Sequence, residues 1–104
     1  MILALDYDDT YTRDPEFWKK FIELAESRGH LVVCVTMRYP SEIDKEKFPD
    51  ITIIPTSRKA KWMYTADEGL RIDVWIDDNP WFLLNDGSNP EGATYKEQLI
   101  PYNK

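Results

Sequence analysis

The sequence predicts an α/β fold, in which a mostly parallel sheet carries helices on both faces in a three-layer α/β/α arrangement. Four short apolar runs predict strands, and short continuous runs of this kind are typical of strands covered on both sides. Segments with helical spacing separate the runs. This alternation favours parallel strands joined by right-handed crossovers. The predicted strands span residues 2–6, 31–35, 51–54 and 72–76.

The first predicted helix begins at Asp14-Pro15 and ends just before Gly29. Aspartate is a favoured N-cap, and proline suits the first helical position, where its missing N–H has no helical partner. Apolar residues then recur at helical spacing between residues 17 and 25. A glycine is the usual residue directly after a helix end, so Gly29 marks the C-terminal boundary.

Two further helices are predicted between the later strands. A short charged helix over about residues 42–47 follows Ser41 as its cap, and a longer helix over 59–68 ends at Gly69. A short fifth strand near residues 93–95 and an irregular tail complete the prediction. The longer helix is assigned Thr56 or Ser57 as its cap and Trp62 and Met63 as its inner face.

Composition indicates one globular domain spanning residues 1–104. Hydrophobic residues make up 42% and charged residues 31%, as in folded soluble chains. The net charge of −6 argues against extended nucleic-acid binding, which depends on Lys and Arg patches. The single cysteine, Cys34, lies in an apolar run and is predicted to be a buried core residue. No secretory leader or membrane span is predicted, so the expected location is cytoplasmic.

Polar side chains follow three of the four predicted strands. Ligands of parallel sheets bind at the carboxyl ends of the strands, where these side chains would meet. Clustered carboxylates suit Mg²⁺, whereas the only histidine, His30, lies at the opposite end of its strand, which argues against zinc. The residues at these strand ends are Asp6, Asp8, Thr36, Asp77 and Asp78.

This residue set favours phosphoryl transfer. A carboxylate can act as the nucleophile and form an acyl-phosphate intermediate. The reaction then needs positive charge around the transferring oxygens and an acid in line with the leaving oxygen. A metal supplies part of that charge, and Lys59 or Lys61, near the start of the predicted helix after the third strand, supplies the rest.

Four segments resemble the motifs of the haloacid dehalogenase (HAD) superfamily, in the same order. Asp6-Tyr7-Asp8-Asp9-Thr10 resembles the DxDxT/V motif, and Val33 to Thr36 resembles the second motif, a strand that ends in Thr or Ser. Lys59 matches the third-motif lysine. Residues 75–78, Trp-Ile-Asp-Asp, are similar to the fourth motif. The resemblance covers the chain to about residue 80 and implies a Rossmann-like fold and a hydrolase, a magnesium-dependent phosphatase.

The resemblance also implies roles for the acidic residues. Asp6 would be the nucleophile, carry the aspartyl-phosphate and bind the metal. Asp8 would be the general acid and base and would bind the metal through its backbone carbonyl. Asp77 would bind Mg²⁺, with Asp78 as a second or alternative ligand.

The remaining site residues are polar or cationic. By the same resemblance, Thr36 would hydrogen-bond the phosphoryl group and Lys59 would neutralise its charge. Arg38, two residues after Thr36, and Thr10 of the first motif are predicted to bind substrate. Lys61 remains an alternative to Lys59, because residues two apart on a helix point to different sides.

Two departures from the family pattern shape the expectations. Position 9 is Asp where the family usually has Gly. Only about twenty residues separate Thr10 from the second strand and Thr36 from Lys59, which leaves no room for an inserted cap domain. The chain thus resembles the capless branch, whose open site a second copy of the chain could complete.

The expected substrate is a small phosphorylated metabolite or nucleotide. Two alternatives stay open: a non-catalytic module that binds metal or phosphate, and a phosphatase that processes nucleic-acid ends. The net charge ranks the second of these below a small-molecule substrate.

Overall fold

The computed structural model describes residues 1–87 and shows an α/β protein with an all-parallel sheet of four strands in this part of the chain. The predicted α/β class and parallel sheet are therefore confirmed. The predicted strand near 93–95 lies outside the described residues. The strands are β1 (Ile2–Leu5), β2 (Leu31–Thr36), β3 (Thr52–Pro55) and β4 (Val74–Ile76). The α-helices are α1 (Pro15–Ser27), α2 (Lys61–Asp67) and α3 (Trp81–Leu84).

The strand order is β3-β2-β1-β4, which places β1 between β2 and β4. The chain moves outward from β1 through β2 to β3 and then returns across the sheet to place β4 on the other side of β1. The strand order therefore reverses between β1 and β4, and such switch points are where open α/β sheets bind ligands. Leu5 is in register with Cys34 of β2 and Ile76 of β4, so the residues that follow these strands emerge side by side.

Both faces of the sheet carry apolar side chains. Successive residues of a strand point to opposite faces, so β1 contributes Leu3 and Leu5 to one face and Ala4 to the other. Ile22 and Ala25 of α1 pack in the first cluster. Cys34 is fully buried there, as predicted, and burial raises the pKa of its thiol to about 12.

The boundaries of α1 agree with the prediction. The Asp14 side chain accepts a hydrogen bond from the Phe17 N–H at 3.2 Å, and Pro15 is the first helical residue. Gly29 has a φ of +86°, the left-handed conformation that a glycine adopts without steric cost.

The predicted helix over 42–47 is wrong. A 3₁₀ turn at Pro40–Glu42 stands there instead, and Ile43 directly after it is extended. The Glu42 carboxylate accepts the Tyr39 N–H at 2.8 Å and pairs with Arg58 at 3.0 Å. These long-range and capping contacts hold Glu42 in the turn. The segment also lacks an apolar stripe whose packing against the core would stabilise a longer helix.

Helix α2 begins two residues later than predicted. Ser57 and Arg58 have φ values of +55° and +70°, which are incompatible with a right-handed helix. The predicted cap, Thr56 or Ser57, is therefore wrong. The Ala60 N–H instead donates to Asp86 Oδ1 at 2.7 Å, a cap supplied from the segment that follows α3.

The orientation of α2 is also different from the prediction. Trp62 and Met63 are 52% and 56% exposed, whereas Lys61 and Thr65 are buried. The helix thus turns a lysine and a threonine inward.

The helix α3 was not predicted. Within residues 1–87, no helix is both long and apolar enough to cross a membrane.

Candidate active site

An open cleft of about 620 Å³ lies at the carboxyl ends of the strands. The residues that follow β1, β2 and β4 line it, because these three strands are neighbours in the sheet. Six of the predicted site residues line this cleft. These six are Asp6, Asp8, Thr36, Arg38, Asp77 and Asp78.

Asp6 is a buried carboxylate of the site. It directly follows β1, its exposed fraction is only 8%, and its backbone N–H donates to the Ile76 carbonyl at 3.0 Å. One carboxylate oxygen, Oδ1, accepts from Lys61 Nζ at 2.6 Å. The other, Oδ2, accepts from the Thr10 hydroxyl at 3.0 Å. Both oxygens are therefore held in fixed directions.

Lys61 is the lysine of the site, and Lys59 is not. Lys61 is 3% exposed, and its Nζ lies 2.6 Å from both Asp6 Oδ1 and Asp77 Oδ2. Lys59 is exposed in the turn that precedes α2. Of the two lysines that the sequence offered, the structure places Lys61 beside Asp6, because the left-handed turn at Ser57 and Arg58 delays the helix.

Negative charge exceeds positive charge around Asp6. The pKa of Asp6 is raised from 3.8 to about 7: burial is the largest cause, Lys61 opposes it, and the charge of Asp77 and the hydrogen bond with Asp78 add to the rise. Burial alone would lower the pKa of Lys61, but Asp6 and Asp77 together hold it above its ordinary value. One ammonium group thus faces several carboxylates, and the cluster is short of positive charge.

This charge deficit fits a divalent cation. Asp6, Asp77 and Asp78 each offer a carboxylate oxygen, and these oxygens lie within 4.8 Å of one another. Oxygen-only donors suit hard cations such as Mg²⁺. The Asp8 side chain does not join this group.

Asp8 instead forms a two-point ion pair at the mouth of the cleft. Its Oδ1 accepts from Arg38 Nη2 at 2.7 Å, and its Oδ2 accepts from Arg38 Nε at 3.0 Å. The Asp8 side chain is 51% exposed and that of Arg38 is 34% exposed. The hydrogen bond with Asp8 raises the pKa of Arg38. Arg38, predicted to bind substrate, thus contacts a carboxylate of the protein itself.

The two predicted threonines have different positions. Thr36 ends β2, lines the cleft, and accepts the Arg38 backbone N–H on its hydroxyl oxygen at 3.3 Å. Its hydroxyl hydrogen can point into the cleft. Thr10 is buried and does not line the cleft. The hydroxyl that was predicted to bind substrate lies 3.0 Å from Asp6 and 3.2 Å from Asp78, so it contacts two carboxylates of the site.

The unusual Asp9 has a backbone explanation. Its φ is +64°, in the left-handed region where glycine is most favoured and where Asp and Asn are the next most tolerated residues. Its N–H donates to the Thr12 hydroxyl at 2.9 Å. Asp at a position where the resembled family has Gly is therefore compatible with the same tight turn.

Sequence reasoning missed the group that supports Arg38. Arg38 Nη1 donates to the Glu42 carbonyl at 2.9 Å, and the Glu42 carboxylate pairs with Arg58. The Arg38 guanidinium also lies over the rings of Tyr7 and Phe48, at 5.2 and 5.7 Å from their centroids. The contacts of Arg38 with Tyr7 and of Glu42 with Arg58 join segments that are distant in the chain, so nothing local in the sequence signals them.

Comparison with protein-family models, with curated proteins and with solved structures gives no match to this chain. The resemblance to the HAD superfamily therefore depends on the four sequence motifs alone.

Proposed function

We propose that this protein is a Mg²⁺-dependent phosphatase that hydrolyses phosphomonoesters through an aspartyl-phosphate on Asp6. The proposal includes a three-layer, Rossmann-like, HAD-like fold without a cap domain. One observation carries it: a buried carboxylate, Asp6, shares a buried ammonium group with Asp77 and opens onto a cleft at the sheet switch point. A buried nucleophile held beside a cation and further carboxylates is the arrangement that phosphoryl transfer requires.

The proposed reaction has two successive displacements at phosphorus. An Asp6 carboxylate oxygen attacks phosphorus, the bond from phosphorus to the leaving oxygen breaks, and Asp8 gives that oxygen a proton. Asp8 then takes a proton from water, the water oxygen attacks phosphorus, and the bond to Asp6 breaks to release phosphate. Lys61 and Thr36, which line the cleft, would face the transferring phosphoryl oxygens. Mg²⁺, held by Asp6, Asp77 and Asp78, would offset the charge that these oxygens develop.

The cleft suits a small phosphorylated metabolite or nucleotide. Its volume of about 620 Å³ falls within the usual range for small-molecule sites. Within residues 1–87, each connection between strands holds at most one α-helix, so no inserted domain closes the cleft.

The test is hydrolysis of p-nitrophenyl phosphate with Mg²⁺ and with EDTA. We expect Asp6→Asn to lower kcat by at least about 10³-fold, because it removes the attacking oxygen's charge. Asp50→Asn, the same change at an exposed carboxylate, is the control. Undiminished turnover in EDTA, or by the Asp6→Asn variant, would overturn the proposal. Beryllium fluoride, a phosphoryl mimic, should bind the wild type and not the variant.

A non-catalytic module for metal or phosphate is the second candidate. The observation that favours it is the pairing of Asp8 with Arg38, which engages the predicted acid and base. A screen over sugar phosphates, nucleotides, phosphopeptides and end-phosphorylated oligonucleotides separates the possibilities. Mg²⁺ binding by calorimetry without turnover of any member would favour the module, whereas preference for an oligonucleotide end would redefine the substrate.

A further inference from the structure

We propose that Arg38 is a positioning residue for Asp8, whose carboxylate plane it fixes at the mouth of the cleft, and that it is not a substrate-binding residue. The inference rests on the proposed phosphatase function. Arg38 was predicted from sequence to meet a substrate phosphate, and its actual contacts in the structure point to a different role.

The contact between the two side chains constrains direction as well as charge. Both carboxylate oxygens of Asp8 accept from different guanidinium nitrogens, Nη2 at 2.7 Å and Nε at 3.0 Å. A planar guanidinium that binds a carboxylate at two points fixes the plane of that carboxylate, which a single hydrogen bond does not do. Among residues 1–87, the hydrogen bonds of the Asp8 side chain are the two with Arg38, so the direction of its carboxylate depends on Arg38.

Arg38 is in turn held from three sides. Nη1 donates to the Glu42 carbonyl at 2.9 Å, and the backbone N–H donates to Thr36 Oγ1 at 3.3 Å. The guanidinium lies over Tyr7 and Phe48, whose rings are stacked with centroids 3.5 Å apart. A half-exposed aspartate is thus directed by an arginine that is itself packed and hydrogen-bonded.

The consequence for the reaction follows from the role of Asp8. In the first displacement Asp8 gives a proton to the leaving oxygen, so a misdirected Asp8 slows the departure of poor leaving groups most. A good leaving group departs as its anion and depends little on that proton. Loss of Arg38 should therefore have an effect that scales with the basicity of the leaving group.

The experiment measures the burst of phenol or phenolate released in the first turnover of Arg38→Met and Arg38→Lys. Phenyl phosphate and 2,4-dinitrophenyl phosphate are the two substrates, with Mg²⁺ present. We expect both variants to slow the phenyl phosphate burst about 10- to 100-fold and the dinitrophenyl phosphate burst less than about 3-fold, with KM little changed. Arg38→Lys keeps the positive charge and most of the stem but loses the two-point contact, and it serves if Arg38→Met unfolds.

Two controls complete the design. Arg71→Met removes a 91% exposed guanidinium outside the cleft and should leave both bursts unchanged. In an Asp8→Asn background, Arg38→Lys should lower the burst by less than about 2-fold, since the group that Arg38 directs can no longer give a proton.

The outcomes separate the two proposals. Equal losses with both substrates, or a rise in KM that Arg38→Lys rescues, would show that Arg38 binds the phosphate and would overturn this inference alone. Absence of turnover by the wild type with either substrate would overturn the phosphatase function and this inference with it.

Discussion

Asp6 and Asp8 lie two residues apart at the end of one strand, yet their surroundings differ in burial and in the cation that each meets. The Asp6 side chain is 9% exposed, and Asp6 shares Lys61 with Asp77. The Asp8 side chain is 51% exposed and forms its ion pair with Arg38. Removing one partner of a buried ion pair is costly, because the remaining charge has no water around it. Exposed pairs contribute little stability. Under the proposed function, the first environment would control charge at the attacking oxygen, and the second would control the direction of the proton-transfer group.

The largest expected effect comes from removing the buried cation. Lys61→Met leaves Asp6 and Asp77 without their ammonium partner, and we expect a loss of about 3 kcal/mol in the free energy of unfolding of metal-free protein at pH 8. Urea unfolding in EDTA measures it. Added Mg²⁺ should restore part of the loss, because it binds the folded carboxylates.

Two matched variants sharpen this comparison. Lys59→Met removes an exposed lysine two residues away and should change the free energy of unfolding by less than about 0.5 kcal/mol. Asp8→Asn breaks the exposed pair and should cost less than about 1 kcal/mol. A loss from Lys61→Met that is no larger than these two would contradict the difference between the environments.

The pH dependence of stability should follow from Asp6. The pKa of Asp6 is raised from 3.8 to about 7, so the folded protein holds more protons than the unfolded chain between these values. Its stabilising contribution is fully present below pH 3.8 and is lost as pH rises through about 7. We expect metal-free wild type to lose stability over this window by up to about 1.4 kcal/mol per pH unit, relative to Asp6→Asn.

Urea unfolding of both proteins at pH 4.5, 6 and 7.5 in EDTA measures that difference. Asp50→Asn, which changes an exposed carboxylate, should keep the wild-type slope. Parallel curves for wild type and Asp6→Asn would show that Asp6 ionises normally. With saturating Mg²⁺ the slope should reverse, because the cation binds the charged carboxylate.

The smallest expected effect lies at the turn between the two carboxylates and α1. Position 9 has a φ of +64°, and alanine adopts this left-handed conformation at a higher free-energy cost than aspartate. Asp9→Ala should therefore destabilise the protein by about 1 kcal/mol. Asp9→Asn keeps the conformational preference and should stay within about 0.5 kcal/mol of wild type. Thermal unfolding of the three proteins compares them, and equal losses in Asp9→Ala and Asp9→Asn would point to a role for the charge instead.

Much of the fold followed from local patterns. The strand β2, the capped start of α1 at Asp14 and the glycine that ends it were all predicted, since each depends on residues adjacent in sequence. The failures share a different cause. Glu42 is held in a 3₁₀ turn by Arg58, and α2 is capped by Asp86, so contacts between distant segments overrode local helix propensity.

The choice of lysine shows how a small shift changes a site. Residues two apart on a helix differ by about 200° in direction, so a delay of two residues at the helix start exchanges the lysine that points inward. The turn at Ser57 and Arg58 is left-handed, and their side chains alone do not encode that conformation as a glycine would. The same turn leaves Trp62 exposed, contrary to the expectation from hydrophobicity.

The sequence by itself determined that carboxylates and a hydroxyl follow three parallel strands, because apolar runs define the strands and parallel strands end at one edge. The strand order, which places β2 and β4 beside β1 and so brings these residues together, came from the structure. The tertiary structure alone decided that Lys61 enters between Asp6 and Asp77, that Arg38 pairs with Asp8, and that Asp9 adopts a left-handed conformation. These outcomes depend on where separate segments come to lie, and only packing in three dimensions sets the distances that turn a set of charges into ion pairs.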